Sequence, residues 1–134
     1  MNGFILHLQD ATQYQRFVNV VSFVGVDASG SFGLQAKHER FITALIFGLA
    51  RFRLHESAWQ YIALPGGVLH FVDNQLYVST RRYLLDDNYR RINRALQDRL
   101  RTEEDKLHNL RQSLRNMEEE MFKRLWQVRR SEPL

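Results

Sequence analysis

The spacing of apolar residues changes near Arg82, and this change divides the chain into two parts. Up to that point, short apolar or alternating segments are rich in Val, Phe, Ile and Tyr and are separated by Gly, Asn, Asp and Ser, which is typical of β-strands. Closely spaced short strands with tight turns predict an antiparallel β-sandwich or a flattened barrel. The predicted strands are Phe4–Gln9, Phe17–Asp27, Phe32–Gln35, Phe41–Ala44, Leu49–Leu54, Trp59–Leu64, Val68–Val72 and Leu76–Thr80.

The sequence from Leu84 to Arg130 contains no Gly or Pro, and its apolar residues recur at the spacing of an α-helix. Asp86 and Asp87 suit a helix start, because acidic side chains complement the helix dipole there. We therefore predict an α+β fold, with an antiparallel β-sandwich domain over residues 1–83 and a helical tail over residues 84–134. One series of apolar residues in the tail repeats at heptad spacing: Leu100, Leu107, Leu114, Met121 and Val128, with Leu110 and Met117 between them.

The sequence leaves open whether the tail is one long helix or a helical hairpin. Arg99 and Arg101 resemble the last turn of a helix, and Thr102 is followed by three acidic residues as in a capping sequence. This pattern favours a break between Arg101 and Thr102. The alternative is an unbroken helix in which the same residues form i,i+4 ion pairs, such as Arg99 with Glu103.

The chain of 134 residues carries a formal net charge of +4, and the excess lies in the tail. Through Thr80, five basic residues balance five acidic ones, whereas from Arg81 onward fourteen basic residues face ten acidic ones. Because the two signs alternate along the tail, the pattern indicates a solvated helix face. Nucleic-acid binding, with Tyr89 and Trp126 stacking on bases, is an alternative that the interleaved acidic residues oppose.

Composition and motifs argue against several classes of protein. Apolar residues make up 44% of the sequence and charged residues 25%, as in a folded globular protein. The longest apolar stretch, Phe41–Ala50, is too short to span a bilayer, and the first residues do not resemble a signal peptide. Cysteine is absent, the five histidines lack metal-ligand spacing, and no phosphate-binding Gly-rich loop occurs. We therefore expect a non-enzymatic protein in the cytoplasm, without a metal or other cofactor.

Two segments carry a resemblance to a known family. In the first, Val26–Leu45, a Gly30-x-x-Gly33-Leu turn precedes His38 and an apolar run. In the second, Trp59–Thr80, a strand, a Gly-Gly turn, a strand and a return strand follow one another. Together they resemble the epsilon-subunit family of rotary F-type ATP synthases. Ala36-Lys37 and Glu39-Arg40 replace the prolines that flank the His in much of the family, which suggests a divergent branch such as a sodium-type enzyme.

The resemblance implies a fold and a set of partners. The fold would be a β-sandwich of roughly ten strands followed by a helical hairpin. The sandwich would bind the gamma subunit and face the membrane rotor ring of c subunits, on the cytoplasmic face of the membrane. Catalysis would belong to the alpha and beta subunits, and the helical tail would act as a brake on ATP hydrolysis by extending toward them.

The resemblance also implies three candidate sites. The start of the tail resembles in part an (Ile/Leu)-Asp-x-x-Arg-Ala motif that binds regulatory ATP in some bacterial relatives. Asp87 and Arg90 keep the spacing of that motif, while Asp86 and Arg91 replace its flanking residues. Asp87, Arg90 and Arg91 are therefore the candidate nucleotide site. Basic residues near the end of the tail are candidates for contacts with the catalytic head: Lys123, Arg124, Arg129 and Arg130. The candidate rotor and gamma interface comprises Gly30, Ser31, Phe32, Gly33, Lys37 and His38, with Phe32 expected to be an exposed aromatic.

A function of a different class is also compatible with the tail. The heptad series from Leu100 to Val128 could drive self-association of a coiled-coil adaptor with a β-sandwich head. Glu103 and Arg124 lie on the same stripe and would weaken a permanent two-helix seam.

Overall fold

The computed structural model describes residues 3–131, with side chains described as far as Arg129. It contains nine β-strands in this range, where the resemblance implied roughly ten, and all eight predicted strands are confirmed. The strands are β1 (Phe4–Gln9), β2 (Tyr14–Asp27), β3 (Gly30–Leu34), β4 (Phe41–Leu45), β5 (Gly48–Leu54), β6 (Trp59–Leu64), β7 (Gly67–Val72), β8 (Gln75–Thr80) and β9 (Leu84–Asp86). They are followed by α1 (Tyr89–Ala95), a π-helical segment (Leu96–Leu100) and α2 (Arg101–Ser131).

The strands form one sheet that closes on itself in the order β1-β8-β7-β4-β2-β5-β6-β9, with β3 beside β2. Closure depends on the long strand β2, whose first half pairs with β1 and whose second half pairs with β3 and β5. The described strand pairs are antiparallel except β1 with β8, which is parallel, so the predicted antiparallel sandwich is a mixed sheet. Residues 4–8 of β1 alternate between buried and half-buried positions, as expected for a strand with one face on a core.

The sandwich core is built mainly from aromatic and aliphatic side chains of alternate strand positions. Phe4 and Phe71 meet edge to face with ring centroids 5.4 Å apart, and Phe17 packs on Phe52 at 4.9 Å. Tyr83, immediately before β9, is also buried in this core. Its hydroxyl donates to Gln15 Oε1 at 2.7 Å, so the ring is buried with its polar end paired.

The first residues of the predicted helix form a strand instead. Leu84–Asp86 pairs antiparallel with β6, with Ala63 opposite Leu84 and Tyr61 opposite Asp86. The helix begins only at Tyr89, where the Asn88 side chain accepts a hydrogen bond from the Arg91 backbone N–H at 3.0 Å. The expected helix start at Leu84 is therefore wrong, because three residues of main-chain pairing with β6 compete successfully with helix formation.

A second, smaller apolar cluster lies where the first helical turns pack on the sheet. Its buried residues are Ala63, Ile92, Leu96 and Leu100. The chain divides into two compact units, Met1–Arg101 and Thr102–Leu134, and this cluster belongs to the first. The domain boundary between residues 83 and 84 stays a prediction.

The favoured helix break between Arg101 and Thr102 is wrong. Arg101 has helical backbone angles (φ −65°, ψ −41°), and its N–H donates to the Leu96 carbonyl in a π-helical bond. The capping signal at Thr102 is not used, because a break would leave several backbone N–H groups unpaired and no Gly or Pro in this region favours one. Of the two forms left open by the sequence, the long helix is the one observed.

Candidate functional site

The turn between β2 and β3 is fixed by a buried carboxylate. Asp27 accepts hydrogen bonds from the Ser29 backbone N–H at 2.9 Å and from the Thr43 hydroxyl at 2.7 Å. Hydrogen bonds from the Ser29 and Thr43 side chains lower the pKa of Asp27 below its usual range. Gly30 ends this turn with a φ of +124°, a value that residues with a Cβ rarely adopt. Ser31 and Gly33 are exposed on the strand that follows.

Phe32 does not present the exposed aromatic that was expected. Its ring is half-buried and meets Phe41 edge to face, with centroids 5.3 Å apart. Phe32 is paired with Gly25 across the strands, and a Cβ on Gly25 would lie only 2.9 Å from the Phe32 ring. The expectation is therefore wrong because the missing side chain at Gly25 makes room for the ring within the fold.

Lys37 and His38 lie in the loop after β3, at the opposite end of that strand from Gly30. The Lys37 backbone N–H donates to Asn74 Oδ1 at 2.7 Å, and Asn74 Nδ2 donates to the Gly3 carbonyl at 2.9 Å. Both Lys37 and His38 are exposed. The His38 ring meets the Phe41 ring edge to face with centroids 5.9 Å apart, and Phe41 also contacts Phe32, so Phe41 connects these two predicted interface residues. Gly30 lies at the far end of β3 from them.

Another surface was missed by the analysis of single motifs. The four strands β1, β4, β7 and β8 contain no Asp, Glu, Lys or Arg at all. Their outward residues align across the sheet, with Ile42 opposite His70, His70 opposite Tyr77, and Tyr77 opposite His7. We call this the uncharged face, made of Ile5, His7, Gln9, Ile42, Ala44, Val68, His70, Val72, Gln75, Tyr77 and Ser79.

The uncharged face exposes apolar side chains around an ordered row of rings. Ile42 is 63% exposed, Val68 56% and Tyr77 39%. The His7 and Tyr77 rings stack with centroids 4.6 Å apart, and His7 Nε2 lies 2.7 Å from Gln75 Oε1. A large exposed apolar patch is the surface feature that most often marks an interaction site.

One polar atom of this face has no partner of its own. His70 Nε2 is buried and makes no hydrogen bond within the part of the chain that the structure describes. The His70 ring lies 6.3 Å from the Tyr77 ring in a tilted arrangement. A buried nitrogen of this kind is costly unless another group pairs with it.

The predicted nucleotide residues lie around the start of α1. Arg91 donates two hydrogen bonds to Asp86, from Nε at 2.5 Å and from Nη2 at 2.7 Å, and its Nη2 is 3.5 Å from Asp87 Oδ1. The Arg91 hydrogen bonds and charge hold the pKa of Asp86 well below its usual range. Arg90 is exposed and is not part of this group. An open groove of about 410 Å³ lies beside the Asp86–Arg91 ion pair, and its lining includes Leu85, Asp86, Arg91, Arg94, Asp98 and Arg99.

The predicted basic residues of the tail lie on α2. Lys123, Arg124 and Arg129 are exposed, whereas the side chain of Arg130 falls outside the described residues. The apolar stripe of the same helix is exposed as well, with Leu110 at 55% and Met121 at 62%. Within residues 3–131, no group of three metal-ligating side chains lies together, and no described helix has the length and apolar character needed to cross a membrane.

The fold is that of a β-sandwich protein with a C-terminal helix and exposed apolar surfaces. A model of the family described as the ATP synthase delta/epsilon chain, β-sandwich domain, matches residues 6–85. The match covers more than half of the chain, and the chain belongs to this family. The resemblance found in the sequence is thereby confirmed.

Relatives of known name and solved structures agree with this assignment. The chain is 42% identical over 50 residues to ATP synthase epsilon chain 2 of Cereibacter sphaeroides. The aligned stretch covers 37% of this chain and 34% of that protein. It therefore spans about a third of the length of this curated relative.

Two solved structures share the fold at low sequence identity. The first is a chain of the cryo-EM structure of the Euglena gracilis mitochondrial ATP synthase (OSCP/F1/c-ring), with a TM-score of 0.59 and 18% identity, covering 72% of this chain and 62% of that one. The second belongs to the central stalk/c-ring of the Tetrahymena thermophila mitochondrial ATP synthase, with a TM-score of 0.53 and 14% identity, covering 60% and 64%. At these identities the likeness extends to the fold alone.

Proposed function

We propose that this chain is the epsilon-type subunit of the central stalk of a rotary F-type ATP synthase, without a catalytic role of its own. Its partners would be the gamma subunit, the c subunits of the rotor ring and the alpha and beta subunits, and it would be held at the cytoplasmic face of the membrane through that complex. Support comes from the family match over residues 6–85 and from relatives named as an epsilon chain or solved within F1/c-ring assemblies.

The observation that carries the proposal is the uncharged face of the sandwich. A face built from four strands without a charged residue, and with Ile42 and Val68 more than half exposed, is costly to leave in water. We assign it to the gamma subunit, because the stable contact of a stalk subunit requires burial of apolar surface.

A charge placed on this face tests the proposal. We expect Ile42→Asp or Val68→Asp to weaken binding to the gamma subunit at least tenfold, because an interface that covers the new carboxylate must desolvate it without a partner. Ile46→Asp is the matched control, since Ile46 is also exposed but lies in the turn between β4 and β5. Binding is measured with purified gamma subunit by calorimetry. Equal losses for the face variants and the control would contradict the assignment of the face.

The rotor-facing contacts stay a prediction. Lys37 and His38 are exposed on a loop that Asn74 holds in place, which suits a contact surface. Gly30 and Ser31 lie at the exposed β2–β3 turn, and Gly33 is exposed further along β3. Half-buried Phe32 supports this hairpin from within.

The regulatory role of the tail is the second part of the proposal. Residues 1–101 form a compact unit with both apolar clusters, so truncation after Arg101 removes the tail from Thr102 onward without removing those contacts. We expect the truncated chain to bind gamma with unchanged affinity and to release ATP hydrolysis in the reconstituted complex. A shift of about 5 kcal/mol in differential binding suffices to move such an equilibrium from one state to the other.

Variants of the basic residues of the tail distinguish inhibition that depends on their charge from inhibition that depends only on the bulk of the helix. Replacing Lys123, Arg124 and Arg129 together by Gln should release hydrolysis as the truncation does, whereas Arg111→Gln with Arg115→Gln should not. Hydrolysis rates that are the same with the full and truncated chains would refute the brake and leave the gamma contact standing.

The predicted nucleotide site stays a prediction. In this structure the Arg91 guanidinium is engaged by Asp86 and Asp87, so an ATP phosphate would have to displace two carboxylates before it could bind there.

A further inference from the structure

The exposed stripe of α2 has a charge pattern that fits a second copy of the same helix. In heptad notation, Leu107, Leu114 and Met121 occupy a positions, and Leu110 and Met117 occupy d positions. These residues repeat at alternating steps of three and four, which places them along one side of the helix. On another side of the helix, Gln112 Nε2 donates to Asn116 Oδ1 at 3.3 Å. Phe122 and Trp126 also lie outside the stripe.

From this pattern we propose that α2 mediates antiparallel self-association, with the stripe of one chain packed against the same stripe of a second copy. This inference goes beyond the stalk function and does not depend on it. The orientation follows from the charges that flank the stripe, because residues at e and g positions set partner choice and direction in paired helices.

A parallel pair would place like charges together. In that orientation each g residue faces the e residue five positions further along the partner, so Lys106 would meet Arg111 on both sides of the pair. The two d positions that carry charge, Glu103 and Arg124, would each face their own copy inside the seam. Four like-charge contacts therefore oppose the parallel arrangement.

An antiparallel pair converts the same residues into attractive contacts. When a layers face d layers, Leu114 packs against Met117 of the second copy and Leu110 against Met121, each occurring twice by symmetry. The e positions then bring Arg111 beside Glu118 of the second copy, again twice. Arg111 and Glu118 lie on opposite sides of the two-fold axis of this antiparallel pair. The charges flanking the stripe are therefore complementary to those of a second copy of the same helix.

The charged d positions also agree with this arrangement. Arg124 of one copy and Glu103 of the other fall in neighbouring layers about 6 Å apart along the axis, at 1.5 Å per residue. That separation is within reach of an arginine side chain. The stripe from Leu107 to Arg124 extends about 26 Å, and its four complete apolar layers suit a reversible assembly.

Charge reversal at the flanking positions tests the orientation. We expect sedimentation velocity of the full chain to show reversible dimers, and Arg111→Glu to weaken them about tenfold by converting two attractions into two repulsions. Glu118→Arg should do the same, and the double variant should restore association. Arg115→Glu is the control, since position 115 lies outside the seam. In a parallel pair, Arg111→Glu would instead strengthen association by attracting Lys106.

Disulfide mapping gives an independent answer, because the natural sequence has no cysteine. Two variants, Leu110→Cys and Met121→Cys, are mixed and oxidised, and the crosslinked species are separated. Antiparallel pairing predicts mixed disulfides between positions 110 and 121 and few disulfides between identical positions. Disulfides between identical positions, or a monomer at every concentration from micromolar to millimolar, would overturn the proposal. Circular dichroism of each variant confirms that α2 is still helical.

Discussion

The small apolar cluster of Ala63, Ile92, Leu96 and Leu100 should control whether α1 stays attached to the sheet. We predict that Leu96→Ala destabilises the attachment of α1 and the π-helical segment without unfolding the sandwich. Leu96 is 4% exposed and belongs to this cluster rather than to the sandwich core, so its loss weakens one site selectively.

The size of the destabilisation caused by Leu96→Ala follows from the burial of this side chain. Replacing a buried Leu by Ala costs about 2–5 kcal/mol, and the low end applies where neighbours can collapse into the space. The cluster has only three large buried side chains, and full burial of each contributes about 1.5–3 kcal/mol. Removal of one therefore takes away about a third of the burial energy at this site, which is enough to populate a state with the helix detached.

Hydrogen exchange measured by mass spectrometry resolves this effect. Amides from Ile92 to Leu100 should exchange at least tenfold faster in Leu96→Ala, while the amides of β5 keep their protection. Leu110→Ala is the matched control, because Leu110 is 55% exposed and its loss should cost less than about 0.5 kcal/mol. Equal acceleration in the sandwich and the helix, or no difference from the control, would refute the independence of the cluster.

Two further variants test contacts that fix the sandwich. Gly25→Ala should cost about 1–3 kcal/mol in urea unfolding, because its Cβ would meet the Phe32 ring, and the cost should shrink in a Phe32→Ala background. Burial raises the pKa of Asp10, but hydrogen bonds from Thr12, Gln13 and Tyr83 outweigh it and hold the pKa at about 2, against 3.8 for a free Asp. A lowered folded-state pKa stabilises the fold above pH 4, and this contribution is lost between about pH 4 and pH 2. Asp10→Asn should therefore lower the free energy of unfolding by about 1–2 kcal/mol at pH 7 and by almost nothing at pH 2. A cost that does not change with pH would contradict this prediction. For the other pair, costs of Gly25→Ala and Phe32→Ala that simply add would contradict the proposed contact.

The strands could be predicted from sequence because their burial alternates with the period of a pleated sheet. Each segment such as Phe4–Gln9 carries its own signal, which does not depend on its partners. Leu84–Asp86 was missed because three residues hold too little pattern to distinguish a strand from a helix start. Its state is decided by pairing with β6, which no local signal reveals.

The contacts across strands could not be predicted, because they depend on register. The ring of Phe32 is half-buried only because Gly25 lies directly opposite it, and neither residue identifies the other along the chain. The same holds for the row from His7 to Ile42, which crosses four strands. The absence of charge from β1, β4, β7 and β8 was nevertheless visible in the sequence and could have identified the uncharged face.

The helix junction shows how a local signal can lose to a continuous hydrogen-bonded backbone. Thr102 and the acids after it match a capping sequence, yet the chain passes through them as helix. The π-helical segment joins α1 to α2 without a break in the helical backbone. Its wider turn keeps both Leu96 and Leu100 in the buried cluster. Such a segment leaves no signature in residue composition.

The two exposed apolar surfaces of this protein differ in what selects their partners. The uncharged face of the sandwich has no ionic groups on its four strands, so its binding depends on shape and burial, which added salt strengthens or leaves unchanged. The stripe of α2 is flanked by Arg111 and Glu118, whose attraction is screened within about 8 Å at physiological ionic strength. Raising the salt concentration should therefore weaken the antiparallel α2 pair while the gamma contact is unchanged or strengthened, so the salt dependence of binding distinguishes the two surfaces without any mutation.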